Sequence, residues 1–404
     1  MAANKWNIKL LEPSLSPWEP KKEPSKQIAV LMSGGVDSSV TAYLLKEQGW
    51  DVLGITMKIP VSCNTNSRGC CGADAAFVCG ELNIPHYFVD VTEPFEELII
   101  KQFRQSYARS ETPNPCVDCN TFLKFSLLWD FLEETFGISY LATGHYAKVS
   151  RTARASQNST DQTRLGRAKD KAKDQSYFLY GITREKLERF VLPLGELKKD
   201  EVRSTAAQLN LGVADKPESM ELCFAGEGNY RLALDGVEAN SPGDITDMQG
   251  NKISRHKGIA HYTLGQRQGI GYAGGKPLYV GKIDAGTNTI ALGTREEVSA
   301  RTVRANQINA LIPEGLVTDR QFFGKIRSYS DPQPCKLIDV GLRRALVSAE
   351  PEAGAGQSSR ETDMTVEFDR PQFAPCPGQR LVLYNSNDNI VAGGTISAEV
   401  SAQT

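Results

Sequence analysis

Between residues 28 and 150 short apolar runs alternate with amphipathic stretches, and that alternation leaves few folds open. The runs "IAVLM" (28–32), "DVLGITM" (51–57), "HYFVDV" (86–91) and "SYLATGHYAKV" (139–149) read as strands. Between them, "SSVTAYLLKEQ" (38–48), "ADAAFVCGELN" (73–83), "EPFEELIIKQFRQSY" (93–107) and "TFLKFSLLWDFLEETFG" (121–137) carry helical spacing. In the last of these Phe122, Phe125, Trp129 and Leu132 are expected on one face. Strand–helix alternation predicts a doubly wound α/β fold with a mostly parallel sheet, which binds ligands at the carboxyl ends of its strands.

The first strand runs straight into "LMSGGVDSSV" (31–40), a change from apolar to small and polar residues. Strand, glycine turn and helix N-terminus together form a phosphate cradle, because glycines admit backbone N–H groups close to an anion. Neither G-x-x-x-x-G-K-[ST] nor G-x-G-x-x-G is present. "SGGVDSS" instead resembles the PP-loop of ATP pyrophosphatases, which adenylate a substrate and release pyrophosphate. Asp37 then reads as a Mg²⁺- or pyrophosphate-ordering acid, or as a helix-start acid that suits the dipole.

Nine cysteines, an odd number, argue against a secreted disulfide framework. Cys116 and Cys119 stand at C-x-x-C spacing in "TPNPCVDCN" (112–120), with Cys119 expected at a helix start, where a thiol pKa falls. Cys223 lies in a Gly-flanked segment, "ELCFAGEG". No second C-x-x-C exists to complete a zinc site. Cys63, Cys70, Cys71 and Cys79 read as structural or loop thiols, and Cys335 and Cys376 receive no role.

The chain has 404 residues, enough for two or three domains, with 40% hydrophobic and 23% charged residues. No apolar run reaches the roughly 20 residues of a membrane helix. The start lacks a signal-peptide core, so residues 1–26 read as a disordered extension and the protein as cytoplasmic, with reduced thiols. A net charge of −2 is not that of a general nucleic-acid binder, so RNA contacts must be local. Residues 148–173 supply a candidate, with eight Lys or Arg against two acids. Residues 183–210 read as two helices broken at Pro193 and Gly195. Short strands and turns follow from Ser241, and the segment beyond Ala300 fits a small β-barrel. Residues 350–363 have the composition of a flexible loop.

"LMSGGVDSS", "TPNPCVDCN", "LATGHYAKV", "KDQSYFLY", "ELCF" and "YTLGQRQGIG" occur in this order. In that order the chain resembles the bacterial and organellar tRNA-specific 2-thiouridylases from about residue 27 to its end. The resemblance implies a PP-loop catalytic domain (adenine nucleotide alpha hydrolase-like) over 27–228, a central tRNA-binding domain over 229–300 and a C-terminal β-barrel over 301–404. Helices in 183–212 are expected to pack with either the catalytic or the central domain. It implies ATP and Mg²⁺ as cofactors, tRNA as substrate, and a cysteine desulfurase or sulfur-relay protein as donor. Leu31, Met32, Ser33, Gly34, Gly35, Val36, Asp37, Ser38, Met57 and Gly144 would line the ATP site. Asn114, Pro115 and Cys116 would adjoin the target base. His145, Lys173, Asp174, Gln175, Arg327, Ser328 and Gln379 would face tRNA. Cys223 would carry a persulfide, and Cys119, the family's nucleophile, would resolve it through a transient disulfide. Many members have Asp where this chain has Cys116. That departure leaves a second reading, an iron–sulfur cluster on Cys116, Cys119 and Cys223. An amide-forming PP-loop ligase and a non-catalytic RNA-binding or metal-carrying protein compete with both.

Overall fold

A computed structural model describes residues 6–60, 71–152, 162–214, 216, 222–225, 234, 241–272, 275–318, 320–341 and 363–398. Cys63, Cys70, the middle of the basic segment (153–161) and most of the 350–363 loop lie outside the described residues. The chain divides into two compact units: Met1–Ile100 with Pro115–Tyr230, and Lys101–Asn114 with Arg231–Thr404.

The first unit is built on a six-stranded sheet. Its strands are β1 (Lys9–Pro13), β2 (Gln27–Leu31), β3 (Asp51–Lys58), β4 (His86–Asp90), β5 (Tyr140–Thr143) and, after the hairpin β6 (Ala147–Thr152) and β7 (Gln162–Arg167), β8 (Phe190–Val191). The order across the sheet is β1-β4-β3-β2-β5-β8. All neighbours are parallel except β1 against β4. Chain order runs outward from β2 through β3 to β4 and then returns to β5 on the other side of β2. The reversal point therefore lies between β2 and β5, where such sheets bind ligands.

The helices are α1 (Val36–Glu47), α2 (Cys71–Glu81) and α3 (Thr92–Phe95, continued as a π-helix over Glu96–Ile100). After α4 (Lys101–Ala108) of the second unit come α5 (residues 115–136), α6 (Arg184–Leu187) and α7 (Lys199–Gln208). Ile28, Val30, Val40, Leu45 and Val78 are buried in one core with Val202 and Ala206 of α7. Of the two packings open to residues 183–212, α7 thus takes the catalytic one.

Three sequence expectations change. Residues 1–26 are not free of the fold from residue 6 onward: β1 pairs with β4, Trp18 N–H donates to Tyr87 Oη at 3.0 Å, and Lys21 N–H donates to Asp51 at 2.5 Å. "SYLATGHYAKV" is not one strand, because the chain turns at residues 144–146 between β5 and β6. In α5 the stretch Cys119–Leu128 is π-helical. Its wider turn breaks the 3.6-residue register, leaving Phe122 51% exposed while Phe125, Trp129 and Leu132 are buried.

The second unit holds a four-stranded sheet and a closed barrel. The sheet contains β9 (Gly243–Asp247), β10 (Lys252–His256), β11 (Tyr279–Asp284) and β12 (Thr289–Gly293). The barrel contains β13 (Ser299–Ala310), β14 (Gln321–Lys325), β15 (Gln333–Val340), β16 (Asp363–Phe373), β17 (Arg380–Tyr384) and β18 (Ile390–Ile396). Closure removes sheet edges, and the barrel interior packs Val303, Phe322, Leu337, Val366 and Phe368.

Beside the switch point a buried relay stiffens the exit of β2. The Thr56 hydroxyl donates to Met32 O at 2.9 Å, and His86 Nε2 lies 2.8 Å from Thr56 Oγ1. Ser14, from the N-terminal segment, hydrogen-bonds His86 Nδ1. Burial pushes the His86 pKa down to about 4, so the imidazole is neutral in the fold. The unfolded chain takes this proton first as pH falls. The stabilising effect is therefore complete above pH 6.5 and lost as pH falls toward 4. Denaturant midpoints measured across that window should fall more steeply for the wild type than for His86→Gln; parallel slopes would contradict the relay.

Candidate active site

The glycine turn leaves β2 at the reversal point. Gly34 has φ +69°, a conformation that favours glycine, and Gly35 caps α1 with no side-chain hydrogen bond. The N–H groups of the first helical turn are thereby left for an anion. Ser33 N–H donates to Ser38 Oγ at 3.2 Å, and the Ser38 and Ser39 hydroxyls donate to Gly35 O at 3.1 and 2.9 Å. These bonds fix the turn from within.

The adjoining strand supplies the opposite wall. Leu31 on β2 is in register with Thr143, the last residue of β5. Gly144 then lies so close to the turn that a Cβ there would stand 2.8 Å from both the Asp37 carbonyl carbon and the Ser38 nitrogen. Both belong to backbone, which yields less readily than a side chain. The glycine of "ATGHY" is thus required by contact with the loop. Met57, half-buried near the end of β3, occupies the strand end on the other side of β2.

Asp37 has partners that the sequence does not disclose. Lys199 Nζ, on the first residue of α7, lies 2.8 Å from each carboxylate oxygen, and Tyr146 Oη donates to Oδ1 at 2.8 Å. The Lys199 side chain is only 8% exposed. A second lysine, Lys216, donates to Gly34 O at 3.0 Å and pairs with Asp74. Asp37 is therefore charge-compensated by protein in this arrangement. One signal for this exists in "GELKKDEVR": a lysine at a helix start opposes the dipole and needs another reason to be there.

The thiols lie on the same unit. Asn114 and Pro115, both buried, lead into α5, and Pro115 takes its first position, where a missing N–H costs nothing. Cys116 is exposed, whereas Cys119, four residues into the helix, is buried. Cys223 is exposed, and its segment is tied to the fold by Phe224, stacked edge-on to Phe95 at 6.0 Å. The three sulfurs act electrostatically on one another and on none is the thiol pKa lowered. Although the residues Cys116 and Cys223 keep exposed surface, surrounding protein crowds all three sulfurs, and that loss of hydration pushes the thiols up, Cys223 to about 12. The helix-start acidification expected for Cys119 fails because the thiol is buried beyond the first turn. Lys124 is the cation that opposes desolvation at all three. Among the described residues, no group of three Cys, His, Asp or Glu is arranged to hold a single metal ion.

The residues expected from the resemblance to face RNA divide by their contacts. Asp174, its side chain 1% exposed, accepts from Ala168 N–H, Ser176 N–H, Ser176 Oγ and Arg167 Nε at 3.0–3.2 Å, so it organises the 168–176 turn. Gln175 Oε1 accepts from Tyr146 N–H at 2.9 Å, tying that turn to the Asp37 partner. His145 Nδ1 lies 2.7 Å from Thr143 Oγ1, and burial pushes its pKa down to about 3. Lys173 is half-buried. In the second unit Arg327 donates to Ala374 O at 2.7 Å and stacks over Phe373, so its guanidinium is committed to protein, while Ser328 remains half-buried beside it. Gln379 Nε2 donates to Thr112 O at 2.9 Å and Thr112 N–H to Pro377 O at 2.8 Å, fixing the loop that precedes the C-x-x-C. Cations of the basic segment are likewise paired: Lys148 with Glu196 and Lys169 with Glu201.

Family comparisons agree with this arrangement. Residues 26–227 match the family described as "tRNA methyl transferase HUP domain", 233–294 a "tRNA methyl transferase PRC-barrel domain" and 348–396 an "Aminomethyltransferase beta-barrel domain". The "tRNA-specific 2-thiouridylase MnmA" of Natranaerobius thermophilus is 39% identical over 386 residues, covering 92% of this chain and 97% of that protein. The chain belongs to the tRNA-specific 2-thiouridylase family. The proteins of the same name from Lachnoclostridium phytofermentans and Methylorubrum extorquens are 37% and 38% identical, over 92% and 93% of this chain and 99% and 95% of theirs. As a 2-thiouridylase-family chain it begins its family match at the switch-point strand, so β1 and the Ser14 contact precede the matched region.

Gly144→Ala should push the turn outward and reduce pyrophosphate release by about 100-fold, the scale of a 1 Å misplacement, while the melting temperature changes little. Lys199→Met should cost about 2 kcal/mol in urea denaturation by stranding the Asp37 charge, and adding Asp37→Asn should recover much of it.

Proposed function

We propose that this protein is an ATP-dependent tRNA-uridine 2-sulfurtransferase that replaces O2 of the wobble uridine with sulfur. The observation that carries the reading is the joint presence, on one unit, of an uncapped glycine turn at the sheet reversal and a cluster of three thiols. A uridine oxygen is a poor leaving group and AMP is a good one, so nucleotide chemistry and sulfur chemistry are both required.

Residues 31–38 and Gly144 bind the ATP phosphates, with Met57 at the side of the nucleotide. Mg²⁺ bound with the nucleotide would supply charge neutralisation at the phosphates held by this turn. The uridine O2 attacks the α-phosphate, pyrophosphate departs, and the oxygen is left bonded to AMP. The terminal sulfur of a Cys223 persulfide then attacks C2 and AMP leaves, giving a Cys223–S–S–C2 link. The Cys119 thiolate attacks Cys223 Sγ, the link breaks to leave sulfur on C2, and a Cys119–Cys223 disulfide forms. A thiol reductant restores both thiols, and a cysteine desulfurase or relay protein reloads Cys223. Chemistry on the ring requires the base to leave its stack, and Asn114, Pro115 and Cys116 border its pocket. His145, Lys173 and Ser328 are the RNA contacts carried forward; Asp174, Gln175, Arg327 and Gln379 hold the surfaces that present them. The reduced thiols suit the cytoplasm. An amide-forming PP-loop ligase has no use for the thiol pair, and a non-catalytic RNA binder none for the phosphate cradle.

Cys119→Ser and Cys223→Ser should each abolish 2-thiouridine, read by nucleoside mass spectrometry, while ATP- and tRNA-dependent pyrophosphate release persists. Thiouridine formation in both variants would overturn the relay.

A further inference from the structure

The thiol helix carries one cation in a run otherwise free of charge, Lys124 in "CNTFLKFSLL". In a π-helix the backbone bond joins residues five apart, so Lys124 stands one turn beyond Cys119. An α-helical register over the same residues would rotate it away from that thiol. Its ammonium is aimed rather than free: Nζ donates to Asn120 Oδ1 at 3.0 Å. Asn120 is itself buried and donates through Nδ2 to Phe178 O at 3.1 Å. Gly181, three residues further on, packs against the same helix so closely that a Cβ would meet Thr121 Oγ1 at 2.0 Å. The segment 173–181 therefore holds both the π-turn and the amide that directs the lysine.

We propose that Lys124 is a positioning residue for sulfur transfer, the cation that stabilises anionic sulfur at Cys119 and Cys223 and faces the thiols because α5 is π-helical there. The other charged or titratable groups facing those sulfurs are Cys116 and Asp118, and both oppose the anion. At all three thiols the charge of Lys124 favours the anion. Its charge also reaches His145, the neighbour of the Gly144 that abuts the nucleotide turn.

The inference rests on the relay reading of Cys119 and Cys223, and its test separates the two. Without tRNA or ATP, the reduced full-length protein is alkylated at fixed pH with neutral iodoacetamide or anionic iodoacetate, and modification of each cysteine is followed by peptide mass spectrometry. A cation beside the sulfur favours the anionic reagent. In Lys124→Met the iodoacetate-to-iodoacetamide rate ratio at Cys223 should fall about five-fold, the size expected for one nearby charge in partly solvated surroundings. In Lys124→Arg the ratio should be retained. In the full reaction, Lys124→Met should lose thiouridine formation while keeping pyrophosphate release, and Lys124→Arg should recover part of it. An unchanged ratio in the Met variant, an equal fall in the Arg variant, or full thiolation by the Met variant would each overturn the proposal. Thiolation surviving both cysteine-to-serine changes would instead refute the relay itself.

Discussion

The contact between Gly144 and the backbone of Asp37 and Ser38 is the constraint on which the rest of the first unit depends. It exists because β2 and β5 are parallel neighbours whose ends coincide at the sheet reversal. Two turns that leave adjacent strands must share one small space, and only a residue without a side chain lets them close. Once they close, the first turn of α1 is presented to that space with its N–H groups unclaimed. The residues following Gly144 are placed by the same contact. His145 bonds back to Thr143, and Tyr146 reaches Asp37.

From that contact, polar bonds extend through segments distant in sequence. Asp37 joins α1 to Lys199 of α7, and Tyr146 joins it to Gln175. Beyond Gln175 the chain passes Phe178, whose carbonyl holds Asn120 and so directs Lys124. A nucleotide turn and a thiol cluster are thus anchored to one scaffold rather than to independent loops. The π-helical stretch of α5 belongs to the same logic, since such stretches recur at functional sites where a side chain must be re-aimed.

Much of this is legible in the sequence because it rests on periodicity and on turn chemistry. The alternation of apolar runs and helices specifies the sheet, and "SGGVDSS" specifies the cradle. The motif "ATGHY" singles out its glycine through the resemblance, and the close approach to Asp37 and Ser38 shows why a side chain is not tolerated there. What escapes sequence reading is set by tertiary pairing. Lys199 and Tyr146 are 162 and 109 residues from Asp37, and no local pattern joins them. An edge strand of five residues with a terminal proline carries little signal, so β1 reads as disorder until its pairing with β4 is seen. The place of Cys119 near a helix start suggests an acidic thiol. Burial outweighs the dipole there, and a 3.6-residue pattern cannot disclose the π-turn that brings Lys124 round. The expectation that Arg327 and Asp174 face RNA comes from the resemblance alone, and no local pattern discloses the protein turns that both hold.

The central claim is that the uridine oxygen leaves on the nucleotide phosphate. It is tested most directly with tRNA carrying ¹⁸O at C2 of the wobble uridine, incubated with ATP, a persulfide donor and the enzyme, followed by mass spectrometry of the released AMP. The account predicts ¹⁸O in the phosphate of AMP in step with 2-thiouridine formed. Label released into water while thiouridine accumulates would contradict it.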